Sequence, residues 1–188
     1  MSREPGSPTN TAFRPETMIA TLIGALAVAV SAYTAYIQRQ QVRAQVWPVL
    51  EYYTGNQPKL RLWVANKGVG PALIKHVVIT VDGAPVRDWN EAMDRLLGPG
   101  QYRYSYDSIG RRTLSAGEAL DIFVPHFEGE LKNPLWLRFD RERMRVGVEL
   151  CYCSALGDCW TASRTPGQTQ QVDETKKCPA PSARTFNQ

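Results

Sequence analysis

From Met18 to Ile37 the chain reads MIATLIGALAVAVSAYTAYI, twenty residues without a single charge. At about 1.5 Å per residue a helix of that length spans roughly 30 Å, the hydrocarbon thickness of a bilayer. In lipid a lone segment satisfies its backbone polar groups only as a helix. Residues 18–37 are therefore expected to form one transmembrane helix, with the lipid bilayer as the first partner. Pro15 suits the first helical turn, where its missing N–H is harmless. Tyr33 and Tyr36 lie near the far end, at the headgroup level that amphipathic rings favour. Ala20, Gly24, Ala27, Ser31 and Ala35 recur at three- and four-residue spacing and form a small-residue face. Such a face would let a helix of another membrane or envelope protein approach closely.

A cleavable signal peptide is the competing assignment, with Ala27, Ala29 and Ser31 as small residues for cleavage. The seventeen residues ahead of the run and its length favour an uncleaved anchor. Charge does not orient it: Arg3 and Arg14 precede the run, and Arg39 and Arg43 follow it.

The texture of the chain divides it further. Residues 1–17 are rich in Pro, Ser, Thr and Gly and read as a disordered tail. Residues 38–46 carry no helix breaker and extend the helix as a linker, until Trp47-Pro48 ends it. From 47 to 164 short strand-like runs alternate with turns. Lys59 to Ala65 alternates with Leu60, Leu62 and Val64 on one face, and Leu73 to Val81 buries Val77, Ile79 and Val81. Asp82-Gly83 marks a hairpin. Asp88 to Leu97 is a short helix, with Asp88 and Glu91 as its capping box and Gly98 as its stop. Further strands are expected at Gln101–Asp107, Ala119–Val124, Val146–Cys153 and Cys159–Ser163, with a helix from Asn133-Pro134 through Met144. Residues 165–188 are polar and read as a loose tail tethered through Cys178. The fold class is mainly β: an Ig-like antiparallel β-sandwich with short helical inserts, preceded by one N-terminal transmembrane helix.

The four cysteines, Cys151, Cys153, Cys159 and Cys178, all fall in the last 38 residues. Cys151 and Cys153 are two apart on a strand and share a face. A Cys153–Cys159 bridge would staple the hairpin and Cys151–Cys178 would pin the tail; pairing 151–159 with 153–178 stays open. Zinc is the rival, but a single close pair with one intervening residue is tighter than the usual knuckle. An even count behind an anchor favours an oxidising compartment. The domain is therefore expected to be periplasmic, anchored in the inner membrane with the N-terminus in the cytoplasm.

Two strings, VANKGVGPALIKHVVITVDG and ELCYCSALGDCW, resemble segments of uncharacterised bacterial single-span membrane proteins. These have an Ig-like extracytoplasmic domain, an Asn-x-Gly-x-Gly-Pro-Ala turn and a Cys-Tyr-Cys-Ser…Cys-Trp hairpin. The resemblance implies the anchor-then-sandwich layout and no activity.

Chemistry is sparsely provided for. There are two histidines, His76 in mid-strand and His126 after Pro125, and no G-x-S-x-G elbow. Gly68-Val69-Gly70 lacks the third glycine and the Lys-Ser/Thr of a phosphate loop, so it reads as a turn whose glycines supply unusual backbone angles. A net charge of +4 is too mild to argue for nucleic acid. No catalytic residue, metal or cofactor is expected. Tyr102, Tyr104 and Tyr106 would share a strand face suited to an interface. Arg138 and Arg141 belong to a basic cluster that could meet an acidic partner. The expected role is a membrane-anchored, non-catalytic interaction or accessory protein. The alternative is a thiol redox or zinc-binding membrane protein built on the cysteine cluster.

Overall fold

The computed structural model describes residues 15–129, 132–182 and 184–187. It divides into two units, residues 1–42 and 43–188. Of the expected N-terminal tail, residues 1–14 lie outside the described residues, and 15–17 belong to the helix.

Helix α1 runs from Pro15 to Gln45, 31 residues with none buried, and is long and apolar enough to cross a membrane. Three of its hydroxyls bond back to the helix's own backbone. Thr21, Ser31 and Thr34 each donate to the carbonyl four residues back, at 2.8, 2.8 and 2.9 Å, so these three donors are not left to a hydrocarbon surrounding.

The described residues of the second unit hold ten strands: β1 (Leu50–Gly55), β2 (Arg61–Asn66), β3 (Ala72–Val81), β4 (Ala84–Val86), β5 (Tyr104–Ser105), β6 (Thr113–Leu114), β7 (Ala119–Pro125), β8 (Val146–Cys153), β9 (Cys159–Arg164) and β10 (Gln171–Thr175). Helix α2 (Trp89–Leu97) follows β4, and α3 (Pro134–Glu142) with a 3-10 turn at Arg143–Arg145 precedes β8. All pairings are antiparallel. One sheet runs β1-β2-β7-β5 and the other β10-β9-β8-β3-β4, with β6 also on β3. The two sheets make a sandwich-like body.

Alternation builds the interior. Leu62 and Val64 of β2, Leu120 and Ile122 of β7, and Leu150 and Tyr152 of β8 are buried in one cluster. In β3 the inward phase changes from Ala72 and Ile74 to Val77, Ile79 and Val81. The ladder to β8 skips Lys75 between Ile74 and His76, a bulge that shifts the alternation by one residue. Asp82 and Gly83 both take positive φ, 52° and 78°, as a tight type I′ hairpin turn requires. Helix α2 begins at the N-cap Asp88, whose side chain accepts from Glu91 N at 2.9 Å. It buries Trp89, Ala92, Met93, Leu96 and Leu97, one helical stripe.

The polar C-terminal stretch is not loose. Gln171–Thr175 adds to β9 as strand β10, and Phe186 is buried with its ring 5.0 Å from Trp89. Phe186 N and Asn187 N donate to Val77 O and Arg87 O at 2.9 and 2.7 Å. A lone apolar residue in a polar run carries no periodic signal. Its burial is visible only when the core that receives it exists.

Candidate functional site

The Asn66–Pro71 turn closes on the segment that follows α1. Asn66 is fully buried, and all its amide positions are used. Oδ1 accepts from Val49 N at 3.2 Å and Gly68 N at 3.0 Å, and Nδ2 donates to Gly70 O at 2.8 Å and Leu114 O at 3.0 Å. The backbone adds Lys67 N to Val49 O at 2.7 Å and Val69 N to Trp47 O at 3.0 Å. Residues 46–49 are thereby strapped to the start of the sandwich. Gly68 and Gly70 are not at positive φ, which corrects the expectation that they supply unusual angles. A Cβ on Gly68 would meet the backbone of Trp47, Pro48 and Val49, and one on Gly70 the backbone of Val46. Their role is close approach.

The cysteines form two disulfides, Cys151–Cys178 and Cys153–Cys159. Cys153 and Cys159 are direct partners across the β8–β9 ladder, so the second bridge staples the hairpin. Cys151 opposes Thr161 and reaches instead to the segment after β10. The two bridges lie side by side, with the sulfurs of Cys153 and Cys178 3.9 Å apart. The sulfurs of Cys153, Cys159 and Cys178 all lie within 4.8 Å of one another. A metal would require thiolates, and in this oxidised state the sulfurs are bonded to each other.

The rings of Tyr104 and Tyr106 lie side by side, 6.1 Å apart. Only Tyr104 and Ser105 pair with β7. Tyr102 is half-buried and donates to Gly98 O at 2.6 Å, closing the end of α2. Tyr104 packs its ring 5.1 Å from Phe123 and donates to Asn90 Oδ1 at 2.9 Å. Tyr106 is exposed. Tyr102 and Tyr104 thus pack partly against the core. Of the basic cluster, Arg143 pairs with Asp140, and Arg145 with Asp82 and Glu142. Arg138 and Arg141 stay exposed and form no ion pair with a described residue. Ala20, Gly24, Ala27, Ser31 and Ala35 lie exposed along α1.

The histidines stand apart. His76 is buried in β3, with Nδ1 3.4 Å from Thr185 Oγ1. His126 is exposed, and its Nε2 lies 3.0 Å from Ser105 Oγ. This Ser–His pair, which sequence reasoning missed, lines a cleft of about 630 Å³ together with Lys59, Arg103 and Trp136. No described residue hydrogen-bonds the other ring nitrogen. A nucleophile–base pair without a group that orients the base lacks the third member of the catalytic arrangement.

Nearby, Asp121 is partly buried, which raises its pKa, yet bonds from Lys59 and Arg61 outweigh burial and hold it below the usual carboxylate range. Tyr53 donates to Glu51, and that carboxylate pushes the phenol up to about 12.

No protein-family model, no curated protein and no solved structure matches this chain. What it can do follows from its own residues.

Proposed function

We propose that this protein is a membrane-anchored, non-catalytic interaction module whose Ig-like sandwich lies outside the cytoplasm. The observation that carries this reading is the pair of disulfides downstream of a helix long and apolar enough to span a bilayer. Disulfides persist in oxidising compartments, so α1 would be a single-pass anchor with its N-terminus in the cytoplasm. The strand order supports the Ig-like assignment. β1-β2-β7-β5 follows the A-B-E-D order of an Ig domain, and β9-β8-β3-β4 follows G-F-C-C′. The intersheet disulfide of antibody domains has no equivalent, because β2 contains no cysteine. Only four residues, Val46–Val49, separate α1 from β1, and the Asn66 turn straps them down. The partner of the domain would be another membrane or envelope protein. Membership of the family with the Asn-x-Gly-x-Gly-Pro-Ala turn and the cysteine hairpin is part of the same proposal.

Maleimide labelling of membranes, with and without reductant, tests the reading by gel shift. Labelling of the cysteines only after reduction is expected. Four thiols reactive without reductant would place the domain in a reducing compartment and overturn it. The thiol redox or zinc reading would then take over, since three sulfurs already lie within 4.8 Å of one another.

A further inference from the structure

Beside the two disulfides the sandwich has a second cleft, of about 620 Å³, within the usual size of a small-molecule site. Five cations line it: Lys75, Arg111, Arg112, Lys176 and Lys177. Among the described residues no carboxylate does. They come from three separate stretches of chain. Lys75 is the bulged residue of β3, outside the ladder to β8. Arg111 sits at φ 57° in the turn before β6, and Arg112 O accepts from Ile74 N at 2.9 Å, which ties that turn to the bulge. Lys176 and Lys177 lie between β10 and Cys178, whose bridge to Cys151 fixes that rim covalently. Of the five, Arg112 meets Glu118, at 3.5 Å. Lys75, Arg111, Lys176 and Lys177 form no ion pair with a described residue.

Like charges gathered on one concave surface repel each other, and a bound anion removes that repulsion. Two guanidinium groups among them favour a ligand that accepts forked hydrogen bonds, as phosphate oxygens do. We infer that this cleft binds a multiply charged phosphate group, either on a soluble molecule or as an anionic phospholipid headgroup. The covalent rim makes the site dependent on the Cys151–Cys178 bridge.

The test uses the full-length oxidised chain in neutral detergent, titrated calorimetrically with inorganic pyrophosphate. Binding that weakens as salt is added is expected. The double variant Lys176→Gln/Lys177→Gln should lower affinity by about tenfold or more, removing two charge-assisted contacts. Arg111→Gly should weaken binding as well while keeping the fold, because glycine accepts the left-handed backbone there. Arg138→Gln/Arg141→Gln, which removes two exposed charges elsewhere, should leave affinity unchanged. Loss of pyrophosphate binding in nanodiscs containing anionic phospholipid, but not in neutral ones, would identify the headgroup as the source. Equal binding in both discs would identify a soluble phosphate. Absence of binding, or equal weakening by the Arg138/Arg141 variant, would overturn the inference. Neither outcome depends on which side of the membrane the sandwich occupies.

Discussion

Asn66 shows how much one amide can decide. Two N–H groups and two carbonyls from four residues converge on its side chain, in a site without solvent. Removing it would leave those groups buried and unpaired, at roughly 1–3 kcal/mol each before relaxation. Asn66→Ala is expected to destabilise the domain by about 3 kcal/mol or more, measured by denaturant unfolding. Gly70→Ala should be similarly damaging, because its Cβ would land on the Val46 backbone. The sequence marks this place as a turn from Asn66 to Pro71. It does not mark the amide as the hub, because Val49 and Leu114, which it bonds, lie 17 and 48 residues away.

Among the elements, α2 was the most legible, and its cap is where its stability can be probed. Asp88 caps Glu91 N, while Glu91 accepts from Arg87 N at 2.8 Å rather than from the cap residue itself. The Arg87 backbone and side-chain bonds, with Arg95 behind them, hold Glu91 down at about 2 from an ordinary 4.5. A carboxylate with a depressed folded pKa contributes stability that is present above its unfolded pKa and lost as pH falls through the folded one. Thermal stability should therefore fall as pH drops from about 4.5 towards 2, and Glu91→Gln should flatten that fall. Asp82 and Glu118, each held low by hydrogen bonds to a cation or the backbone, steepen it in the same direction. Asp88→Ala is expected to cost about 1 kcal/mol, read from the same melting curves. The run Gln101–Asp107 was less legible. Its alternation is real, but only Tyr104 and Ser105 find a ladder partner in β7. Local pattern proposes a strand; a neighbour's free edge decides its length.

At the scale of the molecule the two bridges differ in what they close. Cys153–Cys159 spans 6 residues and Cys151–Cys178 spans 27. By loop-closure entropy the longer is worth about 3.5 kcal/mol and the shorter about 2. Cys151→Ser/Cys178→Ser should lower the melting temperature more than Cys153→Ser/Cys159→Ser. It alone should expose residues after Thr175 to protease, read by mass spectrometry of limited digests. Sequence by itself determined the elements whose physics is local. An uncharged twenty-residue run has to be helical to satisfy its backbone in lipid. Period-two runs such as Leu60–Val64 announce a half-buried sheet, and an Asp-x-x-Glu box opens a helix. Only the tertiary structure decided which cysteines pair, because β8–β9 register puts Cys153 opposite Cys159 and leaves Cys151 to the tail. Only it returned Phe186 to the core and brought Lys75, Arg111 and Lys176 to one cleft. Those groups are tens of residues apart, and such meetings are set by which apolar surfaces the whole chain can bury together, a quantity no local window contains.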